Sequence, residues 1–225
     1  MKKRFYLTNI RLELIREASK DYGYLLSRGY NWNSALNFVS GRYRLSKIER
    51  MILLRAVFSN DEILERKKKL VTIDYIRRKT LSIDGFNVLM TIKAALLGAP
   101  LILCQDGFIR DILSAFEKVK IDLYMYISLE LLLMVLSRFS PNNVFLFFDS
   151  KVSKSGLFAA HVRKRLKELN LKGEVSAVPK ADILTLMHGD IVASSDSVII
   201  SRAKHVIDLG GYIAKSIAIE SILTI

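Results

Sequence analysis

The stretch Leu81-Ser82-Ile83-Asp84-Gly85-Phe86-Asn87-Val88-Leu89 decides the fold. It reads as a short apolar strand ending on an acid, followed by a glycine, an asparagine and a helix-like segment. Val144 to Phe148 is a second apolar run and ends on Asp149, and Ile191-Val192-Ala193 is a third that reaches Asp196 through two serines. Between these last two, Lys180-Ala181-Asp182 precedes a short helical segment. From Thr80 onward, strand-like runs near 81–83, 101–103, 144–148, 174–178, 191–193 and 206–208 alternate with helical stretches. A final strand is expected at Tyr212 to Ala214, after a turn at Gly210-Gly211. Such alternation predicts an α/β fold with a mostly parallel sheet. Open sheets of this kind place their sites at the carboxyl ends of the strands, where these aspartates fall.

The chain ahead of this region reads differently. Residues 1 to about 70 carry helical periodicity: Asn9 to Lys20 places Ile10, Leu14 and Ala18 on one face, Asn33 is expected to cap a second helix beginning at Ser34, and Ser46-Lys47-Ile48-Glu49 fits a capping box. Another short helix begins at Ser59-Asn60-Asp61-Glu62. The predicted organisation is a small all-α domain over residues 1–72 and an α/β domain over 73–225.

Charge divides at nearly the same place. Residues 1–79 hold 19 Lys/Arg against 8 Asp/Glu, whereas residues 80–225 hold 16 against 14, so +11 of the net +13 lies in the first third. A basic module beside a nearly neutral one points to a polyanion partner, nucleic acid or another. Arg66-Lys67-Lys68-Lys69 and Arg77-Arg78-Lys79 flank the junction and are candidates for gripping phosphates.

Composition excludes several classes. An apolar fraction of 51% and a mean hydropathy of +0.24 argue against disorder. Cys104 is the single cysteine and lies in an apolar run, which leaves no disulfide framework and no thiolate metal site and fits a reducing, cytoplasmic setting. Met1-Lys2-Lys3-Arg4 is basic, but no signal-peptide core follows. Ile121 to Leu136 carries Asp122 and Glu130 and is too interrupted to span a bilayer; it reads as a core helix or the interface of a homo-oligomer, not a membrane segment. His161, His188 and His205 lack paired ligand spacing. No G-x-G-x-x-G follows a predicted strand, and Phe86 occupies the position where an aspartate-nucleophile phosphotransferase needs its second acid.

Asp84, Asp149, Asp182 and Asp196, with Asn87 one helical turn beyond Asp84, are hard oxygen donors suited to Mg²⁺ or Mn²⁺. One or two such ions activate water and neutralise charge that builds on a phosphodiester. Lys180, and Lys151 and Lys154 in the loop Ser150 to Gly156, would rise from the same edge toward substrate phosphate. Each aspartate has a simpler reading as a helix N-cap, clearest for Asp196. Asp106-Gly107 reads as a turn and Asp111 as an early-helix charge, outside the cluster.

The order Ile83-Asp84-Gly85-Phe86-Asn87, Phe148-Asp149, Lys180-Ala181-Asp182 and Val192-Ala193-Ser194-Ser195-Asp196 resembles the PIN-like nuclease superfamily, and within it the NYN branch. The spacing from Asp182 through Asp190 to Asp196, and on to Gly210-Gly211-Tyr212, is also similar. The resemblance covers about residues 80–217 and implies a three-layer, Rossmann-like nuclease domain that holds Mg²⁺ or Mn²⁺ and cleaves RNA. It makes Asp84 the leading metal ligand, Asn87 its orienting partner, Asp182 and Asp196 the rest of the cluster and Asp149 a more variable member. One departure is Val198, where that pattern has a second acid two positions beyond Asp196. The whole chain is also similar to archaeal proteins that pair a small helical domain with a PIN-like one. The rival expectation is a catalytically inactive RNA-binding or scaffold protein that keeps this fold, with Tyr22, Tyr24, Tyr30 and Trp32 packed in the helical core or offered to bases.

Overall fold

The computed structural model describes residues 10–225; the basic Met1-Lys2-Lys3-Arg4 and Asn9, read as the start of the first helix, lie outside them. Four helices come first: α1 (Leu12–Ser27), α2 (Trp32–Arg42), α3 (Lys47–Ala56) and α4 (Asn60–Lys69). Local chemistry sets the starts of α2, α3 and α4. Ser46 with Glu49, and Ser59 with Glu62, form complete capping boxes, each such cap contributing about 1 kcal/mol. The cap of α2 is Asn31, not Asn33: its side-chain oxygen accepts from the backbone N–H of Asn33 and Ser34, so the helix begins at Trp32. Glu49 is fully buried and takes the Arg11 guanidinium at 2.7 and 2.9 Å, which holds its carboxyl down at about 2.

The main sheet follows, interleaved with helices: β1 (Thr80–Asp84), α5 (Gly85–Leu96), α6 (Leu123–Phe139), β4 (Asn143–Asp149), α7 (Ser155–Glu168), β5 (Gly173–Val178), α8 (Ala181–Met187), β6 (Ile191–Ala193), α9 (Ser197–Arg202), β7 (Val206–Ile207) and α10 (Leu209–Ala218). Its order is β5-β4-β1-β6-β7 and every pairing is parallel. Numbered by appearance in this sheet, that is 3-2-1-4-5, a doubly wound arrangement. Because side chains alternate along a strand, Leu81 and Ile83 share one face with Val144, Leu146 and Phe148. That face forms the principal core with α5, α6 and α7, through residues such as Phe86, Leu129, Leu133, Phe158 and Val162. The other face carries Ser82, Phe145 and Phe147 and is covered by α8, with His188 packed on both phenylalanines. The α/β part is therefore a three-layer domain. Among the described residues no helix is long and apolar enough to cross a membrane; α6 buries Leu129, Leu132, Leu133 and Leu136 instead.

A second sheet was not legible in the sequence. Leu101–Leu103 (β2) lies outside the main sheet; it pairs antiparallel with β3 (Ile109–Asp111) and parallel with β8 (Ile222–Thr224). One side of this small sheet, through Ile102 and Cys104, completes the core of the four helices, and the other, through Leu101 and Ile109, packs on Ala94 and Ala95 of α5 and Ala214 of α10. Packing thus crosses the boundary read between residues 72 and 73, as does the Val71 N–H donating to the Val206 carbonyl. Tyr212 to Ala214 is helix, not strand: Asp208 caps α10 by accepting from the Gly211 N–H, which draws Gly210-Gly211 into the first turn. A Cβ on Gly211 would collide with that carboxylate. Cys104 is buried, and burial pushes its thiol up to about 11.

Gly85 fixes how closely α5 starts against β4. A Cβ there would fall on the Phe148 ring and 2.9 Å from the Phe147 carbonyl. Gly85→Ala is expected to destabilise the protein by about 2 kcal/mol, the cost of overpacking a closed core, seen as a lower urea midpoint at unchanged m-value. An unchanged midpoint would show that α5 can move away from β4 at no cost.

Candidate active site

Strand order reverses at β1. From β1 the chain moves outward to β4 and β5, then returns under α8 to β6 and β7 on the opposite side. The carboxyl ends of β1 and β6 consequently meet at a topological switch point, where sheets of this kind open the crevice that usually binds ligand. Asp84 ends β1 in that crevice. Pleat parity places it on the α8 face with Phe147 and Asp149, and places Ser194, which continues β6 beyond Val192, on the same face.

A compact network holds it there. Ser194 Oγ donates to Asp84 Oδ2 at 3.0 Å and accepts from the Asp196 N–H at 3.0 Å. Asn87 Oδ1, in the first turn of α5, accepts from the Ser195 N–H at 2.8 Å and the Ser195 hydroxyl at 2.9 Å. Asp84 is only partly covered by neighbours, yet its carboxyl is pushed up to about 7. Burial is the main cause; the Ser194 hydrogen bond opposes it, and the charges of Asp182 and Asp196 add to it. Three carboxylates are therefore within electrostatic reach, and the most buried of them ionises only near neutral pH.

The expected residues divide as follows. Asp84 and Asn87 are joined through Ser194 and Ser195, with Asp182 and Asp196 exposed at the rim. Asp196 also caps α9, accepting from Val198 and Ile199 N–H. Asp149 turns to its own loop and accepts from the Lys151 N–H at 2.8 Å. Among the described residues, no three His, Cys, Asp or Glu side chains stand close enough to cage a metal ion, so the four aspartates are an open edge. Lys180 at the head of α8, and Lys151 and Lys154 after β4, are exposed. Lys154 holds a left-handed backbone, φ +66°, a strain of about 1 kcal/mol of the kind that concentrates near functional loops.

The junction cations behave differently from expectation. Arg66 is buried: it donates to Asp106 and Glu62 and stacks over Phe58, so it is unavailable to phosphate. Lys69 is tied to the carbonyls of Ile200 and Ser201. Arg77 pairs with Asp74 and lies over Phe139, Lys68 pairs with Glu65, and Lys67 and Arg78 are exposed.

Sequence reasoning missed what stands behind the crevice. Arg110 in β3 makes a bidentate pair with Asp106, at 2.7 and 2.8 Å, and its Nε donates to the Ser195 carbonyl at 2.7 Å. Asp106 is no simple turn residue; it is fully buried between Arg110 and Arg66. Asp111 ends a strand, where it accepts from Ser114. The i, i+4 spacing of Asp106 and Arg110 was the available signal. Asp208, at the end of β7, is also pushed up to about 6 by burial, opposed by hydrogen bonds from the Ile109 and Gly211 N–H groups.

Comparison with known proteins adds a family but no activity. Residues 73–212 match a family model described as a domain of unknown function, DUF5616. The chain belongs to the DUF5616 family. Residues 14–69 match a second model, described as a protein of unknown function, DUF434, so the two matches meet where the helices give way to the sheet. A Methanocaldococcus jannaschii protein named "Uncharacterized protein MJ0935" is 39% identical over 197 residues, which cover 87% of this chain and 94% of that protein. No solved structure matches.

The raised carboxyl sets a pH dependence. An unfolded aspartate titrates near 3.9, so stability from Asp84 is present in full below that value and is lost as pH rises toward about 7. Asp84→Asn keeps an acceptor for Ser194 and removes the charge. It should therefore stabilise the metal-free protein at pH 8, on the order of 2 kcal/mol after allowing for solvent at the crevice, and change it little at pH 4. Urea midpoints at the two pH values check this; equal effects at both would place Asp84 in an ordinary aqueous environment.

Proposed function

We propose that the chain is a metal-dependent phosphodiesterase acting on RNA, with a PIN-like site at the carboxyl edge of β1. The observation that carries this is Asp84 itself: a carboxylate whose charge is disfavoured by burial and by Asp182 and Asp196, at the switch point of a doubly wound sheet. Such a group is suited to a divalent cation. The donor set fits Mg²⁺ or Mn²⁺, since Mg²⁺ keeps most of its waters and takes one or two carboxylates, and Asp84 with Asp196 or Asp182 would supply them. When bound, the ion supplies charge neutralisation and an activated water.

The remaining roles belong to the chain. Ser194 fixes Asp84 through Oδ2. Asn87 locks the Ser195 backbone and with it the direction of the β6–α9 turn. Lys180, Lys151 and Lys154 attract the phosphate backbone, and Asp149, held by its own turn, stands on the flank. A cytoplasmic location and self-association through α6, where Leu123 and Met134 are exposed, belong to the same reading. The open spacing of the aspartates favours a second reading, a non-catalytic RNA-binding or scaffold protein with the same fold.

Incubating a mixed pool of labelled single-stranded and structured RNA with Mn²⁺ or Mg²⁺ separates the two. The enzyme reading expects metal-dependent cutting that falls at least a hundredfold in Asp84→Asn and less in Asp182→Asn. Salt-sensitive binding without cutting by the unmodified chain supports the scaffold.

A further inference from the structure

The first four helices carry a surface that the acidic crevice does not use. Tyr24, Tyr30, Trp32 and Phe38 are 65%, 61%, 55% and 65% exposed, whereas Tyr22 alone of the first helix's pair is buried. Every residue from Ser27 to Ser34 is exposed. The backbones that carry three of the aromatics meet at one corner: the Arg28 N–H donates to the Tyr24 carbonyl, the Tyr30 N–H to the Leu25 carbonyl, and the Tyr22 hydroxyl to the Trp32 carbonyl. Lone exposed aromatics are ordinary, but several gathered at one turn mark a contact surface.

Charge says what it would contact. From Tyr22 to Ile48 there is no acid, while Arg28, Arg42, Arg44 and Lys47 are all present and exposed. Arg28 and Arg44 make no ion pair among the described residues. The backbone of the turn is set by local chemistry: Gly29 takes φ +82°, open to solvent and costly for a side chain, and Asn31 Oδ1 accepts two backbone N–H groups. Exposed π-faces beside Arg28 and Arg44 match bases stacked along a phosphate backbone.

We propose that the α1–α2 corner, formed by Tyr24, Arg28, Tyr30 and Trp32, is a stacking platform for single-stranded nucleic acid. It extends the RNA reading of the crevice, though binding here needs neither metal nor cleavage. A duplex, whose bases are already stacked, is a poor occupant.

Trp32 is the only tryptophan in the chain, so its fluorescence reports the corner directly. The full chain, in EDTA, is titrated with a single-stranded RNA of about 12 nucleotides and with the corresponding duplex. The single strand should quench Trp32 saturably, and Tyr30→Ala and Arg28→Ala should each loosen its Kd about tenfold at unchanged urea midpoint. The duplex should quench weakly. Asp84→Asn should leave this binding intact, so failure of the platform and failure of the crevice as a nuclease are read separately. Unchanged Trp32 emission, or a Kd indifferent to Tyr30 and Arg28, overturns the proposal.

Discussion

The hydrogen bond from Ser194 Oγ to Asp84 is the interaction around which the acidic edge of the α/β domain is organised. A parallel sheet delivers backbone ends to one edge, and at the switch between β1 and β6 nothing in the sheet itself ties the two strands beyond Ile83 and Ala193. Ser194 and Asn87 supply that tie with side chains. The acid they hold is kept in a setting that opposes its charge. Such a site costs folding free energy at neutral pH, a cost that a bound cation would offset.

The crevice is also buttressed from the helical side. Arg110 grips Asp106 with two hydrogen bonds and the Ser195 carbonyl with a third, while Arg66 of α4 joins the same carboxylate. Removing one member of such a buried set leaves an uncompensated charge, typically worth 3–5 kcal/mol. The path from α4 through Asp106 and Arg110 to Ser195 is continuous hydrogen bonding. It makes the small second sheet a connector between the four helices and the acidic edge, which explains why the core of the helices includes Ile102, Cys104 and Ile112.

Much of this was legible in the sequence, for physical reasons. The apolar runs ending at Asp84 and Asp149 are long enough to read as strands, and the Ser46–Glu49 box announces its helix by chemistry that acts within four residues. Short-range rules failed where distant residues decide. The three-residue strands β3 and β8 have no local signature, and although 101–103 reads as strand-like, nothing local places β2 with them in a second sheet. Tyr212 to Ala214 looks like a strand until Asp208 caps the preceding turn. Arg66 looks like a surface cation until Asp106, forty residues later, takes it inward. Tyr24, Tyr30 and Trp32 fit a helical pattern that would bury them, yet the turn through Gly29 leaves them outside.

The central claim is that the edge of β1 exists to hold a divalent cation through Asp84. Its most direct test is Mn²⁺ binding followed by electron paramagnetic resonance, comparing the unmodified chain with Asp84→Asn at pH 8. The account predicts a saturable Mn²⁺ site in the first that is lost in the second. Equal binding by both, or none by either, would contradict it.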